Sequence, residues 1–301
     1  MKNSPPVLYL ADRIVVSDYS SFVMGIVNCT PDSFSNERIM GPKDWINSAL
    51  EQIKNGAEIL DLGAESTRPG STYVSEEVEL ERLIPVLKEI RKVSNIPVSI
   101  DTRKYAVMKK CFENGADILN DISAFEDHPK LAELVKETQM PVILMHKKGN
   151  PDKMQDAPLD CVKNGDSFKV VNKYLLQRAE FALKMGIKKE KIIIDPGIGF
   201  GKTVEANIDL LRNLHRLGNK KYSVLLGLSR KSFLGAITGR DVHQREIATV
   251  CGDLIGVQKG ASFIRVHDVK AAVDSLKILD SLADLSHRKK DKKLLLESLK
   301  C

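Results

Sequence analysis

The chain has 301 residues, 43% hydrophobic and 29% charged, which suits one large domain with a full core. No run approaches the roughly 18 consecutive apolar residues of a membrane-spanning helix, and the opening MKNSPPVLYL lacks the sustained apolar core of a signal peptide. Of the formal net charge of +6, +4 lies in residues 285–301, so the rest is near neutral and gives no compositional support to nucleic-acid binding.

Five cysteines, at 29, 111, 161, 251 and 301, form no CxxC pair. They read as reduced thiols of a cytoplasmic protein, not as a disulfide framework or a structural zinc site.

In chain order, residues 1–20 are an N-terminal extension with a small strand pair, VLYL and RIVV, placed to plug the bottom of a barrel. The first core strand spans 22–27 and is followed by a long loop, CTPDSFSNERIMGPK, of the length that carries function. DWINSALEQIKNGA then reads as a helix with Asp44 as its cap. Strand two, 58–62, opens into GAESTRPGSTYVSEE, and Val78, Leu80, Leu83, Val86, Leu87 and Ile90 mark the next helix. Strands follow at 97–101, 117–120, 141–145, 191–195, 222–228 and 262–266, alternating with helices near 103–114, 127–138, 165–186, 203–216, 242–258 and 268–284. Eight strand–helix units favour a closed α/β (β/α)8 TIM barrel, residues 21–284, over an open doubly wound sheet. Residues 285–301 form a basic C-terminal tail, read as a solvated extension.

The strand-like runs end in polar or ionisable residues, which places the chemistry on one rim. VMGIVN ends at Asn28, VSID at Asp101, DILN at Asn120, VILMH at His146, IIID at Asp195, VLLGLSRK at Lys231 and FIRVH at His267. Arg265 and His267, two apart, share a face with Phe263 one layer deeper and make an anion site or a salt-bridging pair. Asp101, Asn120 and Asp195 converging on one mouth suit a nitrogen-rich heterocycle, or the two acids are structural carboxylates holding loops. Lys231 donates to a ring carbonyl or nitrogen, or counters an acid. Asn28 offers a hard oxygen ligand for magnesium, or caps its loop. Arg68 can reach over the mouth from the loop after strand two. The natural anion beside strands one and eight is phosphate or diphosphate.

Several chemistries lack support. PGIGFGKT has Pro196 where a P-loop needs glycine, and no GxGxxG follows strand one. The six histidines show no HExxH and no metal-ligand spacing, and no GxSxG occurs.

MGIVNCTPDSFS (24–35), DLGAESTRPGS (61–71), SIDTRK (99–104), ILNDIS (118–123), MHKKGNPDKMQ (145–155), DPGIGFGK (195–202), GLSRKSFLG (227–235) and RVHDV (265–269) fall one per strand end. In that order they resemble the dihydropteroate synthase family of pterin-binding enzymes over about residues 22–275. The resemblance implies condensation of (7,8-dihydropterin-6-yl)methyl diphosphate with 4-aminobenzoate to 7,8-dihydropteroate and diphosphate, in folate biosynthesis, along an Mg²⁺-assisted SN1-like path. It implies pterin binding by Asp101, Asn120, Asp195 and Lys231. Diphosphate falls to Asn28, Arg265 and His267, with Asn28 also on Mg²⁺. Thr67, Arg68, Pro69, Phe200 and Ser229 frame the aminobenzoate subsite, where sulfonamides compete in the family. Asp32, in the first loop, stabilises the cation formed in the reaction or orders the loop. The implied assembly is a homodimer with no nucleic-acid or membrane partner. The chain departs from the family's pattern at NERIM after DSFS, at Ala64 in GAES and at Cys29. The alternatives are a pterin-dependent methyltransferase, against which SRK speaks, and a non-catalytic pterin-binding paralogue.

Overall fold

The computed structural model describes residues 5–31, 40–65, 73–149, 158–159 and 166–283. Eight parallel strands close into a barrel: β3 (Phe22–Asn28), β4 (Ile59–Gly63), β5 (Val98–Asp101), β6 (Ile118–Asp121), β7 (Val142–Met145), β8 (Ile192–Asp195), β9 (Ser223–Leu226) and β10 (Phe263–Val266), with β10 hydrogen-bonded back to β3. The strands are Val-, Ile- and Leu-rich because helices cover the outside and their own side chains fill the inside.

Register determines what the barrel contains. Phe263 lies beside Phe22 and Leu225, Met24 beside Ile59, and Ile143 beside Asn120 and Ile193. Phe22, Met24, Ile59, Ile118, Ile143, Ile193, Leu225 and Phe263 form one buried cluster at the lower end. The Phe22 and Phe263 rings stack with centroids 5.0 Å apart. The expected strand pair exists as β1 (Val7–Tyr9) and β2 (Ile14–Val16), an antiparallel hairpin. Its Leu8 and the adjoining Leu10 join the cluster, so the hairpin does plug the barrel. Burying each of these leucines stabilises the plug by roughly 1.5–3 kcal/mol.

Side chains alternate along a strand, so the inward row continues upward from this apolar floor. Ile59 leads to Asp61, Ile118 to Asn120, Ile193 to Asp195, and Phe263 to Arg265. Polar groups therefore replace apolar ones at one level.

Helices surround the barrel: α1 (Pro42–Lys54), α2 (Glu76–Val93), α3 (Tyr105–Glu113), α4 (Lys130–Thr138), α5 (Ser167–Lys184), α6 (Val204–Arg212), α7 (Ser232–Thr238), α8 (Glu246–Gln258) and α9 (Val269–Leu282). Four of these helices start on side-chain oxygen caps: Ser75 accepts from the Val78 N–H, Asp166 from Lys169, Thr203 from Ala206 and Asp268 from Ala271. Asp44 is not the N-cap of α1. That position is Gly41, and Asp44 reaches back to accept its N–H at 3.0 Å.

The seventh unit differs from expectation. SRKSFLGAITGRD holds a short helix of its own, α7, ended by left-handed Gly239, and α8 starts only at Glu246. Residues 214–220 leave the sixth helix as a 3-10 segment. Strand seven stops at Leu226, so Lys231 stands beyond it at the start of α7. Strand β6 runs one residue past Asn120 to Asp121, whose buried carboxylate accepts from Ser123 N–H, Ser123 O–H and Phe125 N–H and shapes the turn. His146 and His267 each lie one residue beyond their strands.

Candidate active site

The upper barrel level gathers charges around Arg265. Its Nε donates to Asp61 Oδ2 at 2.6 Å and its Nη2 to Asp101 Oδ2 at 3.1 Å. Asp61 is fully buried and also accepts from Asn120 Nδ2 at 3.2 Å. A carboxylate can only accept, so the Asn120 amide must turn its NH₂ toward Asp61 and its oxygen elsewhere. Burial opposes the Arg265 charge, but Asp61 and Asp101 outweigh it and raise its pKa. Burial pushes the Asp101 carboxyl up, with Arg265 opposing.

Asp61 was not among the expected site residues. It sits inside EILDL and does not end it, though a lone acid two residues after inward-facing Ile59 was the available signal. Arg265, expected beside His267 as an anion site, is held by two acids, Asp61 and Asp101.

Opposite lies Asp195, 7% exposed, its carboxyl raised by burial against the pull of Lys231. Its Oδ1 accepts from the Gly197 N–H at 2.7 Å, which starts the turn of the β8 loop. Gly197 has φ +62°, and a Cβ there would fall 1.9 Å from the His146 carbonyl oxygen, so only glycine fits. Lys231 donates to the Ile198 carbonyl, and its Nζ stands 4.4 Å from the centre of the Phe200 ring. Burial draws the Lys231 ammonium down to about 8, with Asp195 opposing.

A second buried lysine braces this loop. Lys202 Nζ donates to the carbonyls of Gly197 at 2.7 Å, His146 at 3.1 Å and Phe200 at 3.1 Å. Burial holds its pKa well below the ordinary value. The His146 and Tyr174 rings meet at right angles with centroids 5.0 Å apart, and burial together with Lys202 draws the histidine down to about 3, so it is a neutral packing group.

On the remaining side, Asn28 ends β3 in register with Gly63, on the same inward row as Phe22 and Met24. His267 Nδ1 lies 2.9 Å from Ser229 Oγ, and the His267 N–H donates to the same oxygen at 3.2 Å. Ser229, expected in the aminobenzoate subsite, thus meets a residue expected at the diphosphate. Asp32, Thr67, Arg68 and Pro69 lie outside the described residues.

The loop ends flanking 66–72 are tied down by charges. Lys104 Nζ bonds Glu65 Oε2 at 3.0 Å, Glu79 Oε2 at 2.9 Å and the Val74 carbonyl at 2.6 Å. Arg103 continues from Glu65 to Asp127, which also binds Lys147. No periodicity reveals this network, since its members come from four separate loops and one helix.

The rim therefore presents carboxylate and carboxamide oxygens, a partly neutralised lysine and a histidine around one mouth. The family model described as pterin binding enzyme matches residues 24–267, from the first barrel strand to the last rim residue. The chain is 41% identical over 268 residues to dihydropteroate synthase of Haemophilus influenzae, covering 87% of this chain and 94% of the relative. It superposes with a TM-score of 0.85 and 39% identity on Xanthomonas albilineans dihydropteroate synthase solved with 4-aminobenzoic acid, covering 93% of this chain and 99% of the other. Burkholderia cenocepacia dihydropteroate synthase complexed with 7,8-dihydropteroate matches with a TM-score of 0.82 and 36% identity, over 94% of this chain and 98% of the other. On the barrel, the rim and these matches together, the chain belongs to the dihydropteroate synthase family of pterin-binding enzymes.

Proposed function

We propose that the chain joins (7,8-dihydropterin-6-yl)methyl diphosphate to 4-aminobenzoate, releasing 7,8-dihydropteroate and diphosphate, as a step of folate biosynthesis. The observation that carries this is the pairing of acceptor oxygens on Asp195, Asp101 and Asn120 with the donor Lys231 around one mouth. A pterin needs that combination: acceptors for its amide and amino N–H groups, a donor for its ring carbonyl and nitrogen. His267 and Asn28 face the diphosphate. Arg265, with its hydrogen bonds to Asp61 and Asp101, spans the two sides and offsets charge that grows on the leaving oxygens.

As the carbon–oxygen bond breaks, the methylene carbon gains positive character that the electron-rich pterin delocalises. The aniline nitrogen attacks with a lone pair already free, so no strong base is required. Phe200, beside Lys231, gives the aminobenzoate ring an apolar wall. Sulfonamides are expected to compete at that wall.

Among the described residues no three His, Cys, Asp or Glu side chains gather into a metal cage. A single rim carboxamide still fits Mg²⁺, which takes few protein ligands and fills its shell with water and substrate phosphate oxygens. Asn28 would hold it, and the ion would supply Lewis-acid stabilisation to the departing diphosphate.

Among the described residues no helix is long and apolar enough to cross a membrane, and the reading places the protein in the cytoplasm. Exposed Ile247 and Ile255 on α8 and Ile278 and Leu282 on α9 support a second copy as partner.

Diphosphate release should require the pterin diphosphate, Mg²⁺ and 4-aminobenzoate together. Folded protein that binds pterin but releases no diphosphate would be a non-catalytic paralogue, and the proposal would fail.

A further inference from the structure

Ser229 Oγ touches His267 twice, at the backbone N–H (3.2 Å) and at ring Nδ1 (2.9 Å). The backbone N–H can only donate, so it occupies one lone pair of the hydroxyl oxygen. The serine is buried, 6% exposed, and its own proton needs an acceptor. Among the described residues, Nδ1 is the acceptor within reach. Were Nδ1 protonated, Ser229 Oγ would accept two N–H groups of one residue while its O–H met no acceptor among the described residues. Nδ1 is therefore bare, and the proton of the neutral imidazole sits on Nε2.

The surrounding backbone makes this arrangement rigid. Gln52 Nε2 donates to the His267 carbonyl at 3.0 Å, which fixes the other side of the residue. Ser229 belongs to a tight turn in which the Lys231 N–H bonds the Leu228 carbonyl at 3.1 Å and the Arg230 N–H bonds Thr249 Oγ1 at 3.1 Å. One turn thus carries both the lysine at the pterin side and the serine that holds the histidine.

We propose that Ser229 is a positioning residue that fixes the Nε2–H tautomer of His267, so that the ring offers a hydrogen-bond donor to the diphosphate. The opposite tautomer would aim a lone pair at phosphate oxygens, which are themselves acceptors. The proposal rests on the reading of His267 as a diphosphate contact, and it adds what makes that contact attractive for the uncharged ring.

Long-range ¹H–¹⁵N correlation spectra of the full chain, labelled at histidine and recorded at pH 8 without substrate, report the tautomer directly. The His267 signals are identified by their loss in His267→Asn. The expected result is a bare Nδ1 and a protonated Nε2. Ser229→Ala should yield a mixture of tautomers and weaken inorganic diphosphate binding, measured by calorimetry, roughly three- to tenfold. Ser229→Thr, which keeps the hydroxyl, should restore both. An Nδ1–H tautomer in the unsubstituted protein, or an unchanged tautomer in Ser229→Ala, overturns the proposal. Should Ser229→Ala fail to fold, the spectrum of the unsubstituted protein still decides. Those spectra need no turnover, so an Nε2–H ring in a protein that makes no dihydropteroate would sink the functional reading and leave the tautomer assignment standing.

Discussion

Arg265 Nε stands 2.6 Å from Asp61 Oδ2, an acid with no exposed surface, so the cation of the last barrel strand is anchored below the rim. The same acid receives the Asn120 NH₂ and thereby settles which end of that amide is turned away from it. Asp61→Asn leaves Arg265 with Asp101 as its remaining acid partner and frees the amide to turn. The expected cost is about 3 kcal/mol of stability, the scale for breaking a buried charge pair. A rise of tenfold or more in KM for the pterin substrate should accompany it. Urea unfolding and steady-state kinetics check both, and an unchanged KM would remove Asp61 from the account of the pocket.

Lys231 gives activity and stability opposite responses to alkali. Its pKa in the folded chain is drawn down to about 8 from 10.5 by burial. In the proposed function the charged form donates to the pterin, so kcat/KM for that substrate should fall as pH rises through about 8. Between about 8 and 10.5 the unfolded chain holds the proton and the folded one does not, so this group's contribution makes the fold more stable as pH climbs. Lys231→Arg, charged throughout, should abolish the alkaline fall in kcat/KM. A fall that persists in Lys231→Arg assigns it to another group.

Lys104 binds two buried carboxylates at once, Glu65 and Glu79, and the latter has no exposed surface. Lys104→Met strands both and should cost about 3–5 kcal/mol. Adding Glu79→Leu removes one stranded charge and should recover part of that loss. Denaturant melts of the single and double variants measure it, and strict additivity of the two substitutions would contradict the coupling.

Gly197→Ala places a Cβ where the His146 carbonyl oxygen already lies, on a backbone with φ +62°. The loop must move, and the Gly197 N–H to Asp195 bond goes with it. A loss of about 2 kcal/mol or more is expected, with weaker pterin binding by calorimetry. Normal pterin affinity in a folded Gly197→Ala would show that the turn does not set the Asp195 carboxylate.

The barrel was legible because its strands are apolar runs bounded by polar residues, and each lies within about two residues of its expected span. The rim was legible for the same reason: Asn28, Asp101 and Asp195 end their strands. Asp61 was missed because it interrupts a strand and does not end one, so only the inward parity of Ile59 marks it. The short helix α7 of the seventh unit was missed because it is seven residues long with Gly235 inside it, too short for a periodic signal. Lys202 hides for another reason. It is caged by carbonyls, and backbone acceptors leave no trace in a sequence. Ser229 and His267 are 38 residues apart, and their contact exists only once β9 and β10 pair.

The division of the rim is tested most directly by measuring two affinities in two variants: a diphosphate-free hydroxymethylpterin and inorganic diphosphate with Mg²⁺, each by calorimetry in Asp195→Asn and in His267→Asn. The expected result is a crossed pattern, with Asp195→Asn weakening the pterin alone and His267→Asn weakening diphosphate alone, each at least tenfold. Equal losses for both ligands in both variants would contradict a mouth with separate heterocycle and anion sides.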